Sequence, residues 1–388
     1  MIPYGRQHLD EDDINAVLDT LKSDWLTQGP AIPKFETALA DYCGANFGIA
    51  VNSATSALHI ACLALGVSEG DILWTSPNSF VASSNCALYC GAKVDFVDID
   101  LNTGNMCVDA LQKKLALAES INALPKVVIP VHFAGQPCDM KEIRALSKQY
   151  GFFVIEDASH AVGAKYQKKF VGSCEFSDIC VFSFHPVKII TTMEGGMALT
   201  NNGEWAEKMR MLRSHGITND PEKMTEHSHG PWYYQQIALG FNYRMTDVEA
   251  ALGLSQLEKL PGFIKRRNTL AAHYNERFAL KENISPLKQS SNRYSSYHLY
   301  VVRVSGLTRK EHALVVEQLR DKGVFAHLHY IPIHCQPYYK NQGFKVGDFP
   351  NAERYYEQAI TLPLFPEITR DQIDFIVDTL SCTLDNLN

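Results

Sequence analysis

The sequence predicts an α/β protein: a large domain on a mainly parallel sheet over residues 1–250, then a smaller α+β domain over 251–388. Three observations lead there. From about residue 47, short continuous apolar runs alternate with helix-length segments, as strands buried on both faces between helices do. The 388 residues exceed one ordinary domain, and the 46% hydrophobic content can fill a sizeable core. After residue 250 the regular alternation stops and longer helix-like stretches take over.

Each element has its own signal. "DEDDINAVLDTLKSD" repeats apolar residues at Ile14, Val17, Leu18 and Leu21, a helical stripe. Asp10 can cap that helix, and the acidic first turn suits its dipole. Gly29-Pro30 in "WLTQGP" marks a loop. Strand "FGIAVN" leads into helix "SATSALHIACLALG", and strand "ILWTS" into "SFVASSNCALYCG". "KVDFVDI", "KVVIPVH" and "FFVIED" are further buried strands. Beyond 250, helix "LEKLPGFIKRRNTLAAHYNERF" is followed by strand "YHLYVVRV", a helix around 309–322, strand "VFAHLH" and a last helix near 369–384. Ligands of mainly parallel sheets bind outside the carboxyl ends of the strands, and the polar residues of this chain collect at those ends.

Composition narrows the function. A net charge of -7 offers no general attraction to nucleic acid or anionic membrane, so a phosphate-bearing ligand needs a local site. The ten cysteines lie singly, with no CxxC pair, as reduced core residues do. No apolar leader opens the chain and no window approaches 18 apolar residues, so a cytoplasmic globular protein is expected. His185 and the histidines of "TEHSHGPW" match no zinc spacing, and no metal site is expected.

Three stretches carry chemistry. In "SFHPVKIITTMEGGMALT", Lys188 stands among Pro186, Val187, Ile189 and Ile190. Lost hydration would make its neutral amine accessible for an imine with a carbonyl, while the alternative is a surface lysine whose stem covers apolar side chains. "NSATSALH" sets small hydroxyl residues where a helix begins, which suits either a phosphate or a plain cap on Ser53 or Thr55. "FFVIEDASH" ends a strand in Glu156-Asp157, and a buried carboxylate there can hold a cation or a protonated ring nitrogen. A metal-binding acid of a nucleotide hydrolase fits poorly, because the chain has no GxxxxGK[ST] loop. Phosphate cradle, aspartate and lysine together match pyridoxal 5'-phosphate, which has a phosphate, a pyridine nitrogen and an aldehyde.

With these motifs in view, the chain resembles the DegT/DnrJ/EryC1/StrS-type aminotransferases of nucleotide-linked keto-sugars. The likeness runs nearly end to end, through "WLTQGP", "FETALADYCG", "NSATSALH", "EDASHAVGAKY", "FSFHPVKIITTMEGG", "GFNYRMTDVEAALGLSQL" and "HYIPIH". It implies the aspartate aminotransferase-like fold (fold type I) with pyridoxal 5'-phosphate as cofactor. By the same resemblance Lys188 would bind the aldehyde and shuttle the proton. Asp157 would face the pyridine nitrogen, His160 the phenolic oxygen, and Phe80 would stack on the ring. Ala54, Thr55 and Ser183 would hold the phosphate, with Asn242 reaching it from the neighbouring subunit, so a homodimer with shared active sites is implied. One departure is Met193, where the family usually has glycine; a methionine does not take a positive φ cheaply, so this turn is expected to differ. An intact Lys188 argues against the related sugar dehydratases, where a histidine replaces it.

Within the family, "LTQGP", "NSATSAL" and "SFHPVKIITT" are most similar to members that aminate C4 of a UDP-linked 4-keto-6-deoxy-N-acetyl sugar on the way to pseudaminic acid. That resemblance implies a UDP-keto-sugar and L-glutamate as substrates. Tyr4, Trp25, Leu26, Thr27, His329 and Tyr330 would line the sugar site, although Tyr4 or Trp25 could equally be packing residues.

Overall fold

The structure, a computed structural model, describes residues 1–387. Seven strands form the central sheet: β1 (Phe47–Val51), β2 (Ile72–Thr75), β3 (Lys93–Phe96), β4 (Val127–Ile129), β5 (Phe153–Asp157), β6 (Ile179–Ser183) and β7 (Gly196–Thr200). Their order is β1-β7-β6-β5-β4-β2-β3, parallel throughout except that β7 runs against both β1 and β6. β1, β4, β5, β6 and β7 are almost wholly buried, which is why they read as unbroken apolar runs rather than alternating ones. Because β7 is reversed, its first residue, Gly196, pairs with the last residues of both neighbours, Val51 and Ser183. Three chain ends thereby meet at one point on the sheet's carboxyl edge.

Helices α1 (Glu11–Leu21), α2 (Ala31–Cys43), α3 (Ala54–Ala64) and α4 (Ala82–Tyr89) lie in the first part of the chain. Asp10 caps α1 as expected, accepting from the Asp12 and Asp13 N–H groups, while the Asp13 carboxylate accepts from the Asp10 N–H. The apolar stripe does not face the protein, however. Ile14, Leu18 and Leu21 remain 46%, 42% and 53% exposed. The buried residue of α1 is Asp13, whose carboxylate accepts from Ser255 Oγ at 2.6 Å and Gln256 Nε2 at 2.8 Å and pairs with Lys259 at 2.9 Å. A polar contact docks this helix and leaves its apolar face outward.

Those three partners belong to the 32-residue helix Asp247–Phe278, which begins on a Thr246–Glu249 capping box. Its first half packs Leu257, Leu260 and Phe263 into the core beside α2. Its second half packs Leu270, Tyr274 and Phe278 into another core with the antiparallel sheet β8 (Ile284–Pro286), β9 (Tyr300–Val304) and β10 (Ala359–Leu362). The boundary expected at 250 falls in the first turn of this helix. The helices expected around 309–322 and 369–384 are Arg309–Asp321 and Arg370–Asp385. "VFAHLH" is not a regular strand: it pairs at single points, Val324 with Ile2 and His327 with Thr361, and the sheet's third strand is β10. The ten cysteines are all free, and among the described residues no helix is long and apolar enough to cross a membrane.

Asp13→Ala is expected to lower stability by about 2 kcal/mol, the scale of lost buried hydrogen bonds to a charged group. Asp13→Asn should cost less, because it can still accept from Ser255. Urea midpoints at fixed protein concentration, with amide exchange across 11–21, test this; unchanged protection of α1 in Asp13→Ala would contradict the docking.

Candidate active site

The carboxyl edge of the sheet opens into a cavity of about 630 Å³. Ten of the residues singled out from sequence line it: Tyr4, Ala54, Thr55, Phe80, Asp157, His160, Ser183, Lys188, His329 and Tyr330. They come from strand ends, a helix start and loops that only the fold brings together.

α3 begins at this edge. Ser53 is its cap, accepting from the Ser56 N–H at 3.1 Å, and Ser56 Oγ donates to Asn52 Oδ1 at 2.7 Å. The cap serves Ser56, so the N–H groups of Ala54 and Thr55 stay free at the positive end of the helix dipole. Directly behind them runs β7. A Cβ on Gly196 would lie 2.5 Å from the Ala54 nitrogen, so glycine is what lets the strand pass so close. With Ser183 on the next strand end, these free donors could hold a phosphate.

Asp157 ends β5 and is 4% exposed. Its Oδ2 accepts from Ser83 Oγ at 2.6 Å and its Oδ1 from the Ser159 N–H at 3.1 Å. Ser83 is itself bonded to Ser79 at 2.7 Å. The carboxylate is held rigidly yet makes no ion pair within contact distance among the described residues, and a buried charge of that kind calls for a cation. A protonated ring nitrogen supplies one. Glu156, pointing to the other face of β5, is taken up by His132 at 2.6 Å and by Ser177, so it is structural.

Lys188 sits in the turn after β6, half-buried, and lines the cavity. Burial pushes the amine down to about 8, against a weaker upward pull from Asp157. His160 is held neutral, well below the usual histidine range, by burial and then by Lys188 and His329. Its Nε2 meets Tyr330 Oη at 3.2 Å. Burial, His327 and Lys188 push His329 down to about 3, and its Nδ1 bonds Thr361 Oγ1 at 3.0 Å. Tyr4 packs on His327 and His329 at ring distances of 5.2 and 5.3 Å. Phe80 is 60% exposed and stands 6.5 Å from the Tyr330 ring, an aromatic wall open to a flat ligand.

Four candidates lie elsewhere. Asn242 is exposed, touching this chain's site only where its carbonyl meets the Asn52 side chain at 3.5 Å. Trp25 and Leu26 are exposed, and Thr27 bridges to Thr246. Asp247 pins their loop, accepting from Gly29 and Ala31 N–H at 2.7 and 2.8 Å. All four lie outside this chain's own cavity, the 25–27 loop at the start of the long helix and Asn242 in the segment leading into it.

The sequence reading missed the Ser79–Ser83 support of Asp157, whose only trace is two serines spaced i, i+4. It also missed His298, which lines the cavity with its ring 4.4 Å from His160. Nothing local in "SSYHLYVV" marks that residue. Met193 does take a left-handed φ, 72°, despite its side chain, at a cost of about 1–2 kcal/mol.

A family model described as the DegT/DnrJ/EryC1/StrS aminotransferase family matches residues 7–381. The UDP-4-amino-4,6-dideoxy-N-acetyl-beta-L-altrosamine transaminase of Campylobacter jejuni is 37% identical over 387 residues, covering 100% of this chain and 98% of that protein. Among solved structures, a putative sugar aminotransferase of Streptococcus pneumoniae in its PMP-form superposes with TM-score 0.91 at 30% identity, covering 100% of both chains, and its PLP-form with TM-score 0.89. Helicobacter pylori PseC, an aminotransferase involved in pseudoaminic acid biosynthesis, also gives TM-score 0.91, at 32% identity with 99% of both chains covered.

In cofactor-free protein Lys188 should titrate near 8, and Asp157→Asn should lower that value, since it removes the charge favouring the protonated amine. With a depressed folded-state pKa, a lysine binds fewer protons folded than unfolded between about 8 and its ordinary 10.5. Stability of the cofactor-free chain should therefore gain with pH in that window relative to Lys188→Met. Carbon-13 signals of reductively methylated lysines follow the titration. An upward shift in Asp157→Asn would contradict the assignment.

Proposed function

The chain belongs to the DegT/DnrJ/EryC1/StrS aminotransferase family, and from that premise we propose that it moves an amino group from L-glutamate to C4 of a UDP-linked 4-keto-6-deoxy-N-acetylhexosamine. It is a pyridoxal-phosphate-dependent sugar aminotransferase. The single observation that carries the reading is the meeting of Lys188, Asp157 and the free N–H groups of α3 in one cavity. The names of the C. jejuni and H. pylori relatives support the sugar, and their full-length match supports carrying it over.

When bound, the cofactor supplies an aldehyde that exchanges amines and a protonated ring that draws electrons from the adjacent carbon. The protein's residues divide the remaining work. Ala54, Thr55 and Ser183 would hold the phosphate, and Phe80 would cover the ring face. Asp157, fixed by Ser83 and Ser159, would keep the ring nitrogen protonated. His160, neutral and braced by Tyr330, offers a hydrogen bond to the phenolic oxygen. Lys188, with its amine near 8, is available unprotonated close to neutral pH to take and return the proton at the substrate carbon. Tyr4, His329 and Tyr330 form the sugar-facing wall.

We read the enzyme as a homodimer with shared sites. Asn242 and the Trp25-Leu26-Thr27 loop lie outside their own cavity, and α1 leaves an apolar face of Ile14, Leu18 and Leu21 exposed. A second copy covering that face would bring Asn242 to the phosphate and the loop to the sugar.

The test is direct. The purified protein should be yellow, glutamate should bleach it, and a UDP-4-keto sugar should restore the colour while gaining an amine at C4 by mass and NMR. Turnover only with dTDP- or GDP-linked sugars, or amination at C3, would overturn the substrate, and colour without bleaching would indicate a cofactor-binding regulator. Lys188→Ala should keep fold and cofactor while kcat falls by roughly 10²–10⁴-fold or more. Near-normal turnover would remove Lys188 from the mechanism.

Mixed dimers test sharing. Lys188→Ala and Asn242→Glu homodimers should each be nearly inactive. If Asn242 serves the partner's site, a mixed dimer carries both lesions in one site and none in the other. Random mixing makes roughly half the dimers mixed, so activity should recover to about a quarter of wild type. No recovery in proven mixed dimers would sink the shared site.

A further inference from the structure

Outside the cavity, His334, Cys335 and Glu353 bring one ligand atom each to within 4.8 Å of one another. His334 is fully buried, and its Nε2 lies 2.9 Å from Glu353 Oε1 and 3.3 Å from Cys335 Sγ. Two electron-rich groups thus converge on one nitrogen. A neutral imidazole Nε2 satisfies only one of them: protonated, it donates to the carboxylate and leaves the thiol; unprotonated, it accepts from the thiol and turns a lone pair on the carboxylate. A cation at the centre satisfies all three.

We propose that His334, Cys335 and Glu353 form a site for a thiophilic divalent cation of the zinc class. Zinc binds nitrogen, sulfur and oxygen at about 2.0–2.3 Å, which makes the edges of its tetrahedron roughly 3.3–3.7 Å. The 2.9 and 3.3 Å separations need only sub-ångström opening to reach those edges, and the Cys335–Glu353 pair, within 4.8 Å, needs to close to the same length. One thiolate with one imidazole selects zinc over calcium or magnesium, which prefer all-oxygen sites. The Gly347 N–H, 2.7 Å from Glu353 Oε1, fixes the carboxylate from outside. Cys335 and Glu353 are half-buried, so the ion has an entry path and a fourth position for water. Two features limit the affinity. His334 Nδ1 is buried without a partner, and an outer contact of that kind is worth about 10–100-fold in metal binding. Burial also raises the Cys335 thiol, so binding must expel its proton and tightens as pH rises. The site sits at the end of "HYIPIH", where the ion would clamp the segment leading back to His329 and Tyr330.

Cofactor-loaded protein, stripped with a chelator and equilibrated with micromolar ZnCl2, should retain one zinc per chain by mass spectrometry and melt at a higher temperature. Cys335→Ser, at a half-buried position that tolerates the change, should bind zinc at least about tenfold more weakly and show no such melting shift. Co²⁺ in place of zinc should give long-wavelength bands and thiolate charge transfer that Cys335→Ser abolishes, and that Cys382→Ser, a change at an exposed cysteine, leaves intact. Zinc that is not retained, or retained equally by Cys335→Ser, or cobalt bound without thiolate bands, would overturn the proposal and leave an ordinary His334–Glu353 hydrogen bond.

Discussion

The site depends on a buried negative charge left open on one side. Asp157 is satisfied by Ser83 and Ser159 on its protein side and has no cation within contact on the cavity side. Alone, such a group would be expensive to keep ionised. Around it stand groups that cannot supply the missing charge in contact: His160, His298 and His329 are held neutral by burial, and Lys188 is drawn toward its neutral form. The cavity is therefore set up to welcome one positive centre at Asp157 and to keep its other nitrogens uncharged.

Backbone geometry makes that arrangement possible. The reversal of β7 brings Gly196 between Val51 and Ser183, which puts the start of α3, the end of β6 and the turn carrying Lys188 within one small region. Glycine at 196 is a packing requirement, since any side chain there would collide with the first amide of the cradle. Met193, three residues earlier, is a different case: its side chain has room outside, 47% exposed, while its left-handed backbone still carries the strain of its own Cβ.

Much of this was legible because it is local. Runs such as "FGIAVN" and "FFVIED" read as strands because burial on both faces leaves no alternation, and Asp157, Lys188 and "NSATSALH" each lie at or within a few residues of a strand end. What the sequence could not show depends on distant pairing. Ser83 reaches Asp157 across 74 positions, and His298 meets His160 only because the second core folds back over the sheet. The stripe in α1 announced a helix but not its direction; one buried aspartate decided that. Strand β10 was too short to stand out in "AITL", while "VFAHLH" has strand composition yet finds partners only at single residues. The exposure of Trp25 and Leu26 was equally unreadable, since no local motif marks which side of the fold they face.

The chain's first residues have a mechanical consequence. Ile2 is stitched into the second core, bonding Gly323 and Phe325, and Tyr4 bonds Leu364, before α1 crosses to the long helix. The two cores are thus joined by the long helix, by this leading strap and by direct packing, since Leu287, Leu299, Val301 and Ala359 bury into the first core. His329 is tied through Thr361 to the same sheet that the strap holds. Tyr4 and His329 are thereby held in ring contact from one and the same sheet, so the face they turn to the cavity is set as a unit.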